Sequence, residues 1–86
     1  MPYKISIKRS AERDMDNLPQ IIHKRISDKI LSLALNPRPR GYTKLSIIEG
    51  YRIRVGSYRI LYTIDDQKKH VHIYSIGHRK EIYREK

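Results

Sequence analysis

From Tyr51 to Ile64 apolar and polar residues alternate almost without a break, interrupted once at Gly56-Ser57. A strand sends successive side chains to opposite faces, so this pattern describes two half-buried strands joined by a tight turn. Tyr51, Ile53 and Val55 belong to a core, and so do Tyr58, Ile60, Tyr62 and Ile64. Arg52, Arg54, Arg59 and Leu61 then share the other face. A merely solvated face would take charge of either sign; the charges here are all positive, which suits a surface that meets phosphate.

The rest of the chain fits around that hairpin. Tyr3, Ile5 and Ile7 alternate with Lys4, Ser6 and Lys8, which predicts a first strand. Ser10 is positioned as a helix N-cap, with Glu12 and Asp14 complementing the helix dipole and Ala11, Met15 and Leu18 on one face. Pro19 either ends this short helix or starts the next. A stripe of Ile22, Ile26, Ile30 and Leu33, backed by Ile21 and Ala34, predicts a second helix from about Gln20 to Leu35. Asn36 precedes Pro37 and is pushed out of the helical region, opening a basic loop through Pro37-Arg38-Pro39-Arg40-Gly41. Further pairing is expected near Leu45 to Ile48. Asp65 to Lys69 forms a longer hairpin loop, Val71 to Ile76 a central strand ended by Gly77, and His78 to Lys86 a short basic tail.

The expected architecture is α+β, in the order β-α-α-β-β-β. Two helices pack on one face of a small, twisted, mostly antiparallel sheet and leave the other face free. The 86 residues make one domain, 1–86, with a small core. A net charge of +10 favours a polyanion or an acidic protein as partner. The charge is local as well: between Arg38 and Arg59 six basic residues stand against the single acid Glu49. The absence of cysteine excludes disulfides and thiolate metal sites. No apolar run reaches the ~20 residues a membrane span needs, so the expected location is cytoplasmic, with no membrane partner.

No metal-ligand spacing, phosphate-cradling glycine loop or nucleophile elbow stands out, so no metal and no cofactor are expected. His70 and His72 share a strand face, but no carboxylate or third histidine is spaced to join them, and they read as ordinary strand histidines. Ser75, three residues before His78, reads as a small packing residue. What remains is a constellation of Arg52, Arg54, Arg59, His78, Arg79 and Tyr83. These residue types suit RNA cleavage without metal, in which the 2′-hydroxyl attacks the adjacent phosphorus. Guanidinium groups hold phosphate oxygens and the charge that develops on them. Histidine exchanges protons near neutrality, and tyrosine can exchange a proton or stack on a base. The plain alternatives are that the arginines solvate a strand or meet an acidic protein, that His78 is a surface residue, and that Tyr83 packs the tail onto the sheet.

Taken in order, Ser10-Ala11, Lys44-Leu45, Tyr51-Arg52-Ile53-Arg54-Val55-Gly56, Tyr58-Arg59-Ile60-Leu61-Tyr62 and Ile76-Gly77-His78-Arg79-Lys80-Glu81-Ile82-Tyr83 resemble the RelE toxins of the RelE/ParE toxin–antitoxin superfamily. The resemblance spans essentially the whole chain. It implies a short C-terminal helical tail and a ribosome-dependent mRNA interferase, an endoribonuclease that cuts mRNA in the ribosomal A site and so inhibits translation. It implies a cognate RelB-like antitoxin that displaces the C-terminal segment, with mRNA and ribosomal RNA as the other partners. Arg59, Arg79, Tyr83 and His78 fall on the family's catalytic positions, and Arg52 and Arg54 on its two basic strand residues. Arg52 and Arg54 replace lysines of the best-studied member and His78 replaces another; arginine hardly deprotonates, so a proton-transfer role does not carry over to it. Arg52 and Arg54, together with Lys44, Arg38 and Arg40 from the basic stretch, are the expected RNA-binding residues. Two other readings use the same features: a ParE-like inhibitor of DNA gyrase, and a non-catalytic RNA- or ribosome-binding module.

Overall fold

A computed structural model describes residues 2–78 of the chain. In order these form β1 (Lys4–Ile7), α1 (Arg9–Asp16), α2 (Gln20–Leu35), β2 (Thr43–Lys44), β3 (Tyr51–Val55), β4 (Tyr58–Asp65) and β5 (His70–His78). The strands make one sheet in the order β1-β5-β4-β3-β2. β1 lies parallel to β5 and every other pair is antiparallel. The α+β architecture expected from the sequence is the one observed, with the two-residue β2 added at the edge. The C-terminal tail expected beyond β5 lies outside the described residues.

Both helices pack on one face. Ala11 and Met15 of α1 and Ile26, Ile30 and Leu33 of α2 meet Ile53, Ile60, Tyr62, Val71, Ile73 and Ile76 of the sheet in a single buried cluster. Burial of this apolar surface is the main favourable term in a domain of this size. Ile21, expected to support the α2 stripe, is instead 74% exposed, because it lies on the outer side of the helix with Leu35.

Several local expectations are corrected. Ser10 does not cap α1: the chain turns into the helix directly from β1, Lys8 holds the N-cap position and no side chain caps it. The Lys8 N–H donates to the Ile73 carbonyl at 2.8 Å, so the strand ladder itself fixes the entry to the helix. Of the two roles expected for Pro19 the structure shows the second: it takes the N-cap position of α2, and α1 stops at Asp16. The pairing expected at Leu45 to Ile48 falls instead on Thr43 and Lys44, opposite Arg52 and Tyr51. Residues 45–50 form a loop closed by a 3.0 Å bond from the Leu45 N–H to the Gly50 carbonyl. Finally, Gly77 does not end β5; the strand continues through it to His78.

One irregularity decides which residues face where. Leu61 pairs with Ser75, but Tyr62 pairs with Ile73, so Tyr74 is an inserted residue on β5. An extra residue shifts the alternation of a strand by one. Val71 and Ile73 before the bulge, and Ile76 after it, therefore all point to the helices.

Candidate nucleic-acid interface

Cross-strand partners in a sheet project to the same side, so the register lays out the face that the helices leave open. One row across β3, β4 and β5 reads Arg52, Leu61, Ser75; the next reads Arg54, Arg59, Gly77. Alternation within each strand had already assigned the three arginines to this face. The register adds that Arg54 and Arg59 are directly opposed. Like charges placed opposite each other weaken a sheet, and a bound anion reverses that cost. Gly77, which has no side chain, is the register partner of Arg59 on β5. Arg54 is exposed, whereas Arg52 and Arg59 are half-buried.

β2 pairs only with Tyr51 and Arg52, so Arg54 lies at an uncovered margin of the sheet. There it lines a shallow basin of about 450 Å³ together with Arg25, Asp28 and Lys29 of α2, so the basin holds one carboxylate among three cations. Sequence reasoning missed Arg25 and Lys29. Their spacing of four residues puts them on one side of a helix, which is the signal that could have found them.

A larger hollow of about 850 Å³ curls around the C-terminal half of β5. Leu61, Tyr74, Ser75 and Gly77 line it together with Ile48, and on its other side it reaches Tyr58, His78 and Asp14. The arginines border this hollow through the pairing of Arg59 with Gly77 rather than lining it. Leu61 is buried although it belongs to the open face. Ser75, expected only to pack, forms part of the hollow's wall.

Other residues singled out from the sequence lie elsewhere. His78 is the register partner of Tyr58, and their rings meet edge to face at 5.7 Å. Tyr58 packs against the helix-side core, so His78 stands on the opposite side of the sheet from Arg59. The bulge at Tyr74 puts it there. Lys44 pairs with Tyr51 and by register shares that residue's helix-side face. Arg40 is exposed in the loop after α2. Arg79 and Tyr83 lie outside the described residues.

Arg38 belongs to a separate, tightly organised cluster. Its guanidinium forks onto Asp66, with Nη2 to Oδ2 at 2.9 Å and Nη1 to Oδ1 at 3.3 Å. It also lies 5.4 Å from the centre of the Tyr51 ring. The Tyr3 hydroxyl donates to Asp66 Oδ1 at 2.6 Å. These bonds hold the Asp66 carboxylate down to about 2, with Arg38 the larger cause and Tyr3 the next. Beneath them the buried Tyr62 hydroxyl donates to the Pro37 carbonyl at 2.8 Å, and burial pushes that phenol up to about 12. The cluster anchors the basic loop to the β4–β5 hairpin, and Asp66 offsets the Arg38 charge.

Among the described residues, no three histidine, cysteine or acidic side chains gather as a metal site. No helix among them is long and apolar enough to cross a membrane.

The fold is thus a small basic one, with both helices on one sheet face and Arg52, Arg54 and Arg59 on the other. The family model described as the ParE toxin of the type II toxin–antitoxin system parDE matches residues 5–83. The chain is also 34% identical, over 96% of its length and 88% of the relative's, to Toxin RelE of Mycobacterium tuberculosis. The chain belongs to the RelE/ParE superfamily of type II toxin–antitoxin toxins. The fold agrees with that of the RelBE2 toxin–antitoxin complex of M. tuberculosis, at a TM-score of 0.81 and 30% identity over 92% of this chain and 93% of that one. It also agrees with the archaeal RelE–RelB complex of Pyrococcus horikoshii, at 0.82 and 26% identity over 92% and 97%.

Proposed function

We propose that this toxin is a ribosome-dependent mRNA interferase that cleaves mRNA in the ribosomal A site without a metal ion. The observation that carries this reading is the opposed pair Arg54 and Arg59, with Arg52 beside them on the face the helices leave open. In the proposed reaction the 2′-oxygen of a ribonucleotide attacks the adjacent phosphorus and loses its proton. The bond from phosphorus to the 5′-oxygen breaks, and that oxygen gains a proton. Arg59 stabilises the charge building on the non-bridging oxygens, where aimed cations contribute most. Arg52, Arg54 and Arg79 hold phosphate and ribosomal RNA, with Lys44 and Arg40 contributing charge at the margin. Arg38, already forked onto Asp66, contributes least to binding.

Tyr83 is the preferred proton-transfer group. His78, packed on Tyr58 on the helix side, is the weaker candidate. A RelB-like antitoxin is the proposed protein partner, since the two structural relatives described above are toxin–antitoxin complexes and this chain's basic surface suits an acidic binder.

The test is cleavage of mRNA on programmed ribosomes by purified toxin, compared with Arg59→Ala. Cutting by the wild type and its loss in the variant are expected. Intact mRNA at toxin levels that arrest growth would overturn the reading.

A second reading rests on the family model, which is that of the ParE toxins. A gyrase inhibitor would use the same scaffold without needing Tyr83. Loss of gyrase supercoiling at toxin levels that leave mRNA whole would favour it.

A further inference from the structure

The other end of the open face carries a cluster that RNA cleavage does not use. Ser6 of β1 pairs in register with His72 of β5, and Lys4 with His70. The Ser6 Oγ lies 2.8 Å from His70 Nε2 and 2.8 Å from His72 Nδ1. The two rings are 6.4 Å apart, inclined at 69°. Spacing along β5 puts both histidines on one face, but only the parallel pairing with β1 brings a third polar group between them. By strand rise the cluster is about 13 Å from Arg59, so the two sites do not overlap.

A serine hydroxyl has one hydrogen. It can donate to one imidazole nitrogen, and the other imidazole must donate its N–H to the same oxygen. Two ring nitrogens of different histidines are thus aimed at a single point, a geometry one bridging atom satisfies. Neutral imidazole is the usual side-chain ligand for zinc, copper and nickel. Replacing the bridging hydroxyl with an ion needs a lone pair inward on both rings. A tautomer change on one ring supplies it, moving that ring's proton to its outward nitrogen with no net proton loss.

We propose that His70 Nε2 and His72 Nδ1 chelate one late first-row divalent cation, with Ser6 beside it and water in the remaining positions. Side-chain ligands of this kind hold zinc at roughly 2.0–2.1 Å, so the rings close slightly from their present spacing. Asp65, the register partner of His70 on β4, offsets the Lys4 charge on the other side of that histidine. The Asp65 Oδ1 accepts the Lys68 N–H at 3.0 Å, which keeps the carboxylate at the head of its hairpin. With two protein ligands the expected preference follows the general affinity order, copper above nickel and zinc.

The experiment is titration of the folded toxin with Cu²⁺ or Ni²⁺, followed through the ring signals of its four histidines by NMR. The expected result is that His70 and His72 broaden first, at one ion per chain, while His23 and His78 remain sharp. His70→Gln and His72→Gln should each weaken binding by more than roughly tenfold, since even outer partners of metal ligands cost 10–100-fold when lost. Simultaneous broadening of all four histidines overturns the proposal. So does unchanged affinity in a variant that retains the wild-type NMR spectrum elsewhere. The wild-type titration decides the matter by itself if a variant fails to fold.

Discussion

Arg54 and Arg59 face each other as register partners across the β3–β4 hairpin, on the side of the sheet away from both helices. Two cations so placed attract an anion. Replacing Arg54 with threonine should therefore stabilise the fold slightly, by a fraction of the roughly 0.2–1 kcal/mol typical of cross-strand pairs, because the site is exposed to solvent. The same change should weaken RNA binding and lower the slope of log affinity against log salt by about one. Denaturant titration and a salt series of RNA-binding curves check the two halves. A variant both less stable and equally tight would contradict the arrangement.

Arg59→Ala should lower cleavage on the ribosome by roughly 10²–10³-fold, the usual loss when one aimed charge-stabilising group is removed. Tyr83→Phe should lower it by about 10²–10⁴-fold if that hydroxyl moves a proton. His78→Gln should change it much less, because the ring packs on Tyr58 on the other side of the sheet. Single-turnover rates of the three variants rank the groups directly.

The clasp around Asp66 predicts an acid-side loss of stability. The folded carboxylate sits at about 2, below its ordinary 3.8. A depressed carboxylate stabilises the fold above its unfolded value and loses that contribution as pH falls through the folded one. Stability should therefore decline between pH 4 and 2. Asp66→Asn should flatten that part of the curve while lowering the neutral-pH melting temperature. Melting curves across the range provide the measurement.

Tyr62→Phe removes the buried bond to the Pro37 carbonyl and should cost about 0.5–1.5 kcal/mol. The phenol is raised to about 12 in the fold against an ordinary 10, so its ionisation favours unfolding above pH 10. Wild-type stability should fall between pH 10 and 12, and the phenylalanine variant should lose less over that interval. Chemical denaturation at neutral and alkaline pH checks both signs.

Gly50 adopts φ +144, and a Cβ added there would stand 2.8 Å from the Tyr74 Oη and 3.2 Å from the Tyr62 carbonyl oxygen. Gly50→Ala should destabilise the protein by roughly 1–3 kcal/mol through backbone strain, with the Tyr74 ring displaced as well. Gly41→Ala has open space around it and should cost only the strain of its own positive φ. Comparing the two by urea unfolding separates crowding from conformation.

The sequence by itself determined the elements and the sides of most of them. Alternation along Tyr51 to Ile64 and along Tyr3 to Ile7, together with the Ile22, Ile26, Ile30, Leu33 stripe, is a local property of the chain. Side-chain direction repeats every two residues in a strand and every 3.6 in a helix, so the core and the open arginine face could be read directly. Only the tertiary structure decided register. The opposition of Arg54 and Arg59, the fork of Arg38 onto Asp66 and the placing of Ser6 between His70 and His72 all join residues distant in sequence. The bulge at Tyr74 moved His78 to the helix side because one inserted residue reverses every side chain beyond it. Pairing between strands is a contest among whole-sheet arrangements, settled by burial on both sides of the ladder, and no short stretch of sequence contains that information.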